Sequence, residues 1–166
     1  MGFHQQYHNA GPGKWFQPIH DWLNKESRIL DWGCGQGHML RLLQQQGFHI
    51  EGYDISHRDH QQRPTGVFDQ IYSVDVWEHQ LPNQLDQVWQ QIETWSRPGT
   101  RHMHVIDCTP ANKWREDLSN EHSTLWPPRR WRDWFQRRLR SVQYQPHQSA
   151  CDNYITRTRV IIQGTH

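Results

Sequence analysis

The 166-residue sequence lacks the features that mark several large classes of protein. Its three cysteines, Cys34, Cys108 and Cys151, are an odd number without a C-x-x-C pair, and so indicate neither a disulfide framework nor a zinc ribbon. No run approaches the roughly 18 apolar residues that span a bilayer, and the N-terminus lacks the pattern of a secretory signal. We therefore expect a soluble, cytoplasmic protein that has no membrane partner.

The chain also has little net charge and few hydrophobic residues. Its formal charge of +1 gives no overall attraction to nucleic acid or to an anionic membrane. Only 34% of the residues are hydrophobic, yet 10 Trp, 5 Tyr and 5 Phe are present, and disordered chains are poor in aromatic residues. We therefore predict one folded domain over residues 1–166 with an aromatic-rich core, preceded within that range by a polar arm at 1–13.

What the chain does contain is an alternation of strand-like and helix-like segments. The apolar runs that predict the first strands cover residues 28–31, 48–54, 67–74 and 102–107. Pro127 opens a predicted helix that extends to Arg140, and two further strands are predicted at 141–145 and 154–163. This pattern predicts an α/β fold with a mainly parallel sheet covered by helices on both faces.

The most informative segment follows the first predicted strand. Asp31 precedes three glycines, Gly33, Gly35 and Gly37, and an amphipathic segment begins at His38. A strand, a glycine-rich turn and a helix start are typical of cofactor sites in parallel α/β folds, because glycine lets the backbone approach a ligand. The spacing is G-x-G-x-G, whereas NAD and FAD sites have G-x-G-x-x-G, so a dinucleotide is the less favoured alternative.

A second acidic residue extends this candidate cofactor site. Asp54 ends the second predicted strand, 17 residues beyond Gly37, where a carboxylate can accept hydrogen bonds from ribose hydroxyls. The alternative for Asp54 alone is a strand-end or helix-capping role. The glycine loop and the strand order together favour the ribose-binding role.

These residues resemble the first motifs of the class I S-adenosylmethionine-dependent methyltransferases. Further similar segments are Val67–His79 with its Glu78-His79 pair, the Arg97-Pro98-Gly99 turn, and Glu121-His122 before an aromatic helix. The resemblance implies a three-layer Rossmann-like methyltransferase fold with a C-terminal antiparallel hairpin. Only 12 residues separate Asp54 from Val67, so we expect the third strand of that fold to be short or missing. In that case Asp59 is the candidate for the family's acidic residue near adenine.

The resemblance also implies a set of cofactor contacts. The loop would pack against the methionyl and ribose parts of S-adenosylmethionine, Asp31 would hold the turn and the methionine ammonium, and Asp54 would bind the ribose. The remaining residues expected to contact the cofactor are Cys34, Ile55, Ser73, Val74 and Asp75. A packing role is the alternative for Cys34, as for Cys108.

Transfer of a methyl group from a sulfonium to a hydroxyl requires alignment and the removal of a proton. Glu78 and His79 follow a central strand, and His122 lies in the loop beyond the next, so these residues are the candidates for catalysis. The chain has 13 histidines, so the alternative for His79 and for His122 is an ordinary surface position without a catalytic role.

A metal site is a further hypothesis from the same segment. Asp75-x-x-Glu78-His79 is similar to the E-x-x-E-H arrangement of the ubiquinone-biosynthesis O-methyltransferases, in which these side chains can hold a divalent ion. In a helical turn the three side chains would share a face. The alternative, which we favour, is that Asp75 caps the turn and Glu78 is structural.

These observations predict a methyltransferase that acts on a small-molecule acceptor, at oxygen. An RNA or protein methyltransferase that uses the arginine-rich segment 129–140 is one alternative, although a solvated helix face explains those arginines and nucleic acid is not the expected partner. A non-catalytic domain that binds S-adenosylmethionine is the other. Aromatic residues that could line an acceptor pocket are Tyr7, Trp15, Trp77, Trp114 and Trp126. Neither the acceptor nor the oligomeric state can be read from the sequence.

Overall fold

A computed structural model describes residues 13–110, 122–150 and 156–166, and the side chains of 148–150, 156 and 157 are outside that description. Within these ranges the helices are α1 (Phe16–Trp22), α2 (His38–Gln45), α3 (Leu85–Glu93) and α4 (Pro128–Gln136). The strands are β1 (Arg28–Trp32), β2 (His49–Tyr53), β3 (Gln70–Val74), β4 (Arg101–Asp107), β5 (Arg140–Ala150) and β6 (Thr156–Thr165). Apart from Gly13, the predicted N-terminal arm lies outside the described residues. None of the described helices has the length and apolar character needed to cross a bilayer.

The strands form one mixed sheet in the order β2-β1-β3-β4-β6-β5. β1 pairs in parallel with β2 on one side and with β3 on the other, and β3 pairs in parallel with β4. β6 is antiparallel to both β4 and β5. The predicted parallel sheet with a C-terminal antiparallel hairpin is confirmed. The strand order reverses at β1, because β2 lies on one side of it and β3 on the other. The carboxyl ends of β1 and β3 therefore flank the crevice where such sheets bind ligands.

The expected shortening of the third strand is also confirmed. Between Tyr53 and Gln70 the chain forms a short 3₁₀ helix, Arg58–His60, and otherwise irregular turns, with no strand. A second 3₁₀ helix, Trp77–His79, follows β3 and carries two of the candidate catalytic residues.

The C-terminal boundaries differ from those predicted. The helix expected to reach Arg140 ends at Gln136, because the backbone N–H groups of Arg138 and Leu139 both donate to the Phe135 carbonyl and close the last turn. Ser141, with a left-handed φ of 52°, lies near the start of β5. β5 is longer than the predicted 141–145, and β6 ends at Thr165, two residues beyond the predicted end. Mutual hydrogen bonding determines these limits in a hairpin whose polar residues give little periodic signal.

The two faces of the sheet are covered by different pairs of helices. α1 and α2 pack on one face with Ile29, Tyr72 and Val105, and α3 and α4 pack on the other. The second face is an aromatic core, as predicted from the composition. The fully buried Trp77 lies at its centre, with ring centroids 4.8–6.5 Å from its neighbours Trp32, Trp89, His104, Trp131, Trp134 and Phe135.

Two histidines of β4 are buried in this core. His104 Nδ1 lies 2.9 Å from Ser73 Oγ, and His102 Nε2 lies 3.3 Å from Ser96 Oγ. Burial lowers the pKa of His104 to about 3 and holds the pKa of His102 well below its usual range. Both side chains are therefore neutral imidazoles in the folded protein at physiological pH.

We predict that these histidines make the fold sensitive to acid. The unfolded chain binds protons at His102 and His104 near pH 6.5, whereas the folded chain does not, so stability is full above pH 6.5 and falls below it. By pH 5 the loss is about 2 kcal/mol per histidine. Urea unfolding of His102→Gln/His104→Asn, in which each amide can replace the imidazole nitrogen that meets a serine, should show a smaller loss between pH 7.5 and 5.

The matched control for this experiment is His49→Gln, because His49 is exposed on β2. Its stability should fall with acid as steeply as that of the unmodified protein. An equally steep fall in the double variant would rule out the buried pair as the cause.

Candidate functional site

The glycine loop after β1 has the backbone that its sequence requires. Gly33, Gly35 and Gly37 have φ values of 76°, 55° and 73°, in the left-handed region that favours glycine. A β-carbon at Gly33 would lie 2.3 Å from Cγ2 of Val76, so the loop packs directly on the turn that follows β3. A side chain at Gly33 would push the glycine loop away from the turn after β3, and both segments are expected to contact the same cofactor.

Asp54 lies beside this loop, as its position at the end of β2 predicts. Its Oδ2 accepts a hydrogen bond from the Gly35 N–H at 2.9 Å, and its Oδ1 accepts one from the Ser56 N–H at 2.8 Å. Each carboxylate oxygen retains further acceptor capacity. The neighbouring Ile55 is 76% exposed, so its side chain is accessible to a ligand bound beside Asp54. The residues present therefore fit the ribose end of a nucleoside.

Asp31 is buried at the carboxyl end of β1, with 4% of its surface exposed. Burial raises the pKa of this carboxyl to about 7, and the nearby Asp54 acts in the same direction. A cationic ligand would stabilise the ionised form of Asp31. Burial also raises the pKa of the Cys34 thiol above its usual range, so this loop cysteine is unreactive at neutral pH.

The turn after β3 contains the other residues predicted to contact a cofactor. Ser73 is fully buried and Val74 is partly buried at the end of the strand, and Asp75 follows with a left-handed φ of 53°. The Asp75 N–H donates to the Val105 carbonyl at 2.9 Å. Arg159 donates from Nε and Nη2 to the two Asp75 carboxylate oxygens at 2.9 and 2.8 Å, so this side chain is bound by a guanidinium.

Glu78, His79 and His122 converge just beyond this turn. One ligand atom from each lies within 4.8 Å of the others, and the two imidazole centroids are 4.8 Å apart. The N–H groups of Ser123 and Thr124 donate to the Glu78 carbonyl at 2.8 and 2.9 Å, which holds His122 beside the 3₁₀ helix. His122 therefore lies with Glu78 and His79, while the Asp75 carboxylate is bound by Arg159.

Glu78 is fully buried. Its Oε1 accepts a hydrogen bond from the Asp107 N–H at 3.1 Å, while its Oε2 has no hydrogen-bond partner among the described residues. Burial raises the pKa of this carboxyl well above its usual range, and Asp75 acts in the same direction. A buried carboxylate oxygen with no partner is costly unless a proton, a cation or a ligand satisfies it.

The aromatic candidates for an acceptor pocket have different environments. Trp77 is in the core, Trp15 is buried at the start of α1, and Trp126 is half-buried with the Arg130 guanidinium 4.1 Å from its ring centroid. Tyr7 and Trp114 lie outside the described residues, as does Glu121. The apolar residues of α4, Trp131, Trp134 and Phe135, pack inward, and Arg129 and Arg130 lie on the exposed side of the helix.

Sequence reasoning missed Arg159. It lies on β6, 84 residues beyond Asp75, and also approaches Asp107 Oδ2 at 3.4 Å. The residues from Thr156 to Arg159 are all polar, and an arginine in such a segment is expected to face solvent. The local sequence therefore gave no sign that Arg159 is buried. Its importance comes from the antiparallel pairing of β6 with β4, which places Arg159 opposite Asp107.

The chain matches a family model described as a methyltransferase domain over residues 4–139. Comparison with curated proteins finds no match. Among solved structures, a SAM-dependent methyltransferase from Archaeoglobus fulgidus shares 12% identity, with 99% of this chain and 100% of that chain covered and a TM-score of 0.74.

Two other similar structures contain a cofactor or its product. The 1,6-didemethyltoxoflavin-N1-methyltransferase of Burkholderia thailandensis, with S-adenosylhomocysteine bound, shares 12% identity over 98% of this chain and 82% of its own, with a TM-score of 0.70. The magnesium protoporphyrin IX methyltransferase of Synechocystis, with SAM bound, shares 16% identity over 89% and 74%, with a TM-score of 0.59.

The fold and the match over most of its length show that this chain belongs to the methyltransferase-domain family. It is an S-adenosylmethionine-dependent methyltransferase with the Rossmann-like fold of class I. S-adenosylmethionine is accordingly its cofactor.

We predict that Asp31 makes cofactor binding depend on pH. The carboxyl is protonated below about pH 7 and ionised above, and only the ionised form attracts the methionine ammonium. Calorimetric affinity for S-adenosylmethionine should therefore rise between pH 5.5 and 7.5, by up to about tenfold per unit below the pKa. Asp31→Asn should bind about 10- to 100-fold more weakly at pH 7.5 and show little pH dependence.

The control for this measurement is Asp21→Asn, an exposed aspartate on α1. Its affinity should follow that of the unmodified protein. Asp31→Asn should be at least as stable as the unmodified protein at pH 7.5, because the raised pKa shows that ionising Asp31 opposes folding above its unfolded pKa of 3.8. An affinity that is flat with pH in the unmodified protein would contradict the assignment.

Proposed function

We propose that this chain methylates a hydroxyl oxygen of a small-molecule acceptor. The observation that carries this proposal is the convergence of Glu78, His79 and His122 just beyond the turn that holds Asp75. When bound, S-adenosylmethionine supplies a methyl group on a positively charged sulfur, which needs no activation of the leaving group. The chain's own residues then have to orient the acceptor and remove its proton.

The position of these residues favours that role. Gly33 packs on Val76, so the glycine loop and the turn after β3 form one continuous edge of the crevice. The 3₁₀ helix Trp77–His79 begins directly after this turn, and the hydrogen bonds from Ser123 and Thr124 fix His122 against it. An acceptor hydroxyl held by these imidazoles would lie at the carboxyl edge of the sheet, beside the proposed cofactor site.

The three residues can help the reaction in two ways. His79 or His122 can accept the acceptor proton, and general bases typically contribute about 10²- to 10⁴-fold in rate. Glu78 Oε2, which has no partner among the residues that the structure describes, would orient the imidazole if the hydrogen bond between them forms when the acceptor binds. Alternatively, one carboxylate and two imidazoles form a donor set that suits Zn²⁺ or Mn²⁺. The partnerless Glu78 Oε2 fits such an ion, and Glu78, His79 and His122 would hold it where it could acidify the acceptor hydroxyl.

Substitution of the three residues tests the proposal. Glu78→Gln, His79→Asn and His122→Asn should each reduce kcat/KM for methyl transfer to an accepted phenol or alcohol by about 10²- to 10⁴-fold. Calorimetric affinity for S-adenosylmethionine should change less than about threefold, since these side chains are assigned to the acceptor. His49→Asn, at an exposed position on β2, should retain full activity.

Chelation separates the two roles. Activity that is lost in EDTA and restored by Mn²⁺ or Zn²⁺ would assign Glu78, His79 and His122 to a metal, and activity indifferent to EDTA would assign a histidine as the base. Unchanged turnover in all three variants would contradict both the metal-binding role and the general-base role. Cofactor binding by the unmodified protein without turnover on a broad acceptor panel would favour a non-catalytic binding domain.

A nucleic-acid or protein acceptor is the second candidate, and one observation favours it. Arg129 and Arg130 are exposed on α4, and Arg130 stacks on Trp126, four residues from His122. Arg132 and Arg138 form ion pairs with Asp133 and Asp86, which reduces the net charge of this surface. RNA binding that weakens steeply with salt, and that Arg129→Gln/Arg130→Gln removes, would favour this candidate.

We also propose that the protein works in the cytoplasm. Cys34 and Cys108 are both free thiols, and burial raises the pKa of each. Free thiols suit a reducing compartment.

A further inference from the structure

Three buried polar atoms without a hydrogen-bond partner lie close together at the carboxyl edge of the sheet. They are Trp15 Nε1, His147 Nδ1 and Arg159 Nη1, and none has a partner within the described part of the chain. The Trp15 and His147 rings are 5.2 Å apart, and Arg159 Cζ lies 5.9 Å from the Trp15 ring. His147 and Arg159 face each other across β5 and β6. We refer to these three residues as the polar cluster.

The chemistry of the polar cluster specifies its ligand. Trp15 and Arg159 are only 6% and 5% exposed, so bulk water does not satisfy their N–H groups. An indole and a guanidinium can only donate hydrogen bonds, and therefore their missing partner must be an acceptor. The Lys14 ammonium, 5.4 Å from the Trp15 ring, adds positive charge. These features favour an anion such as a carboxylate.

The position of Arg159 beside the glycine loop indicates which ligand would supply the carboxylate. Its Nε and Nη2 are bound to Asp75, which fixes the plane of the guanidinium and leaves Nη1 available. Asp75 precedes Val76, which packs on Gly33, and Asp31 lies two residues before Gly33. A carboxylate-binding group and an acid that can bind an ammonium therefore lie near the same loop.

We propose that the polar cluster binds the α-carboxylate of S-adenosylmethionine, opposite the contact of Asp31 with the ammonium. This inference rests on the assignment of the cofactor. Arg159 and Trp15 are then binding residues, supplied by the last strand and by the residue that precedes α1. The glycine loop and Asp54 hold the nucleoside, and the polar cluster selects its amino-acid end.

The test compares two ligands that differ in one group. Calorimetry would measure binding of S-adenosylhomocysteine and of its decarboxylated analogue, in which hydrogen replaces the carboxylate. The unmodified protein should bind S-adenosylhomocysteine at least about tenfold more tightly. Trp15→Phe keeps the aromatic ring and removes its N–H, and Arg159→Met removes the guanidinium. Each should weaken S-adenosylhomocysteine about 10- to 100-fold and the decarboxylated analogue less than about twofold.

Trp22→Phe is the matched control, because Trp22 lies at the other end of α1 and touches Arg101 instead. It should leave both affinities unchanged. Equal losses for the two ligands in Trp15→Phe, or no loss for either, would overturn the inference. If Arg159→Met does not fold, Trp15→Phe still decides. Failure of the unmodified protein to bind either ligand would refute the cofactor assignment itself.

Discussion

The ion pair between Asp75 and Arg159 is the interaction on which the geometry of the site depends. It joins the left-handed turn after β3 to the C-terminal hairpin, which is remote in sequence. The turn packs on the glycine loop on one side and leads into the 3₁₀ helix that carries Glu78 and His79 on the other. The cofactor and acceptor parts of the crevice therefore share one support, and Arg159 maintains it from a buried position.

Both parts of the crevice contain polar groups that the free protein does not satisfy well. Asp31 has a raised pKa on the cofactor side, and Glu78 Oε2 has no partner among the described residues on the acceptor side. Such groups oppose folding, because a buried charge without a partner is costly. A fold stabilised by the aromatic core around Trp77 tolerates that cost. Binding of a cationic ligand at either place would then also stabilise the fold.

The sequence predicted the parts of the structure that depend on local pattern. The alternation of strands and helices, the glycine loop before α2 and the reduced third strand all follow from residues close together in the chain. The ends of α4 and the length of the β5–β6 hairpin were predicted less well, since pairing between strands determines them. The convergence of His122 with Glu78 and His79, and the contact of Arg159 with Asp75, depend on contacts between distant segments and could not be predicted from spacing.

The central claim is that S-adenosylmethionine lies across the carboxyl ends of β1 and β3. A crystal structure with S-adenosylhomocysteine tests it most directly. We expect the ribose hydroxyls within hydrogen-bond distance of Asp54, the ammonium beside Asp31 and the carboxylate against Arg159 and Trp15. A nucleoside bound elsewhere, or an Asp54 carboxylate that contacts only Gly35 and Ser56, would contradict the account.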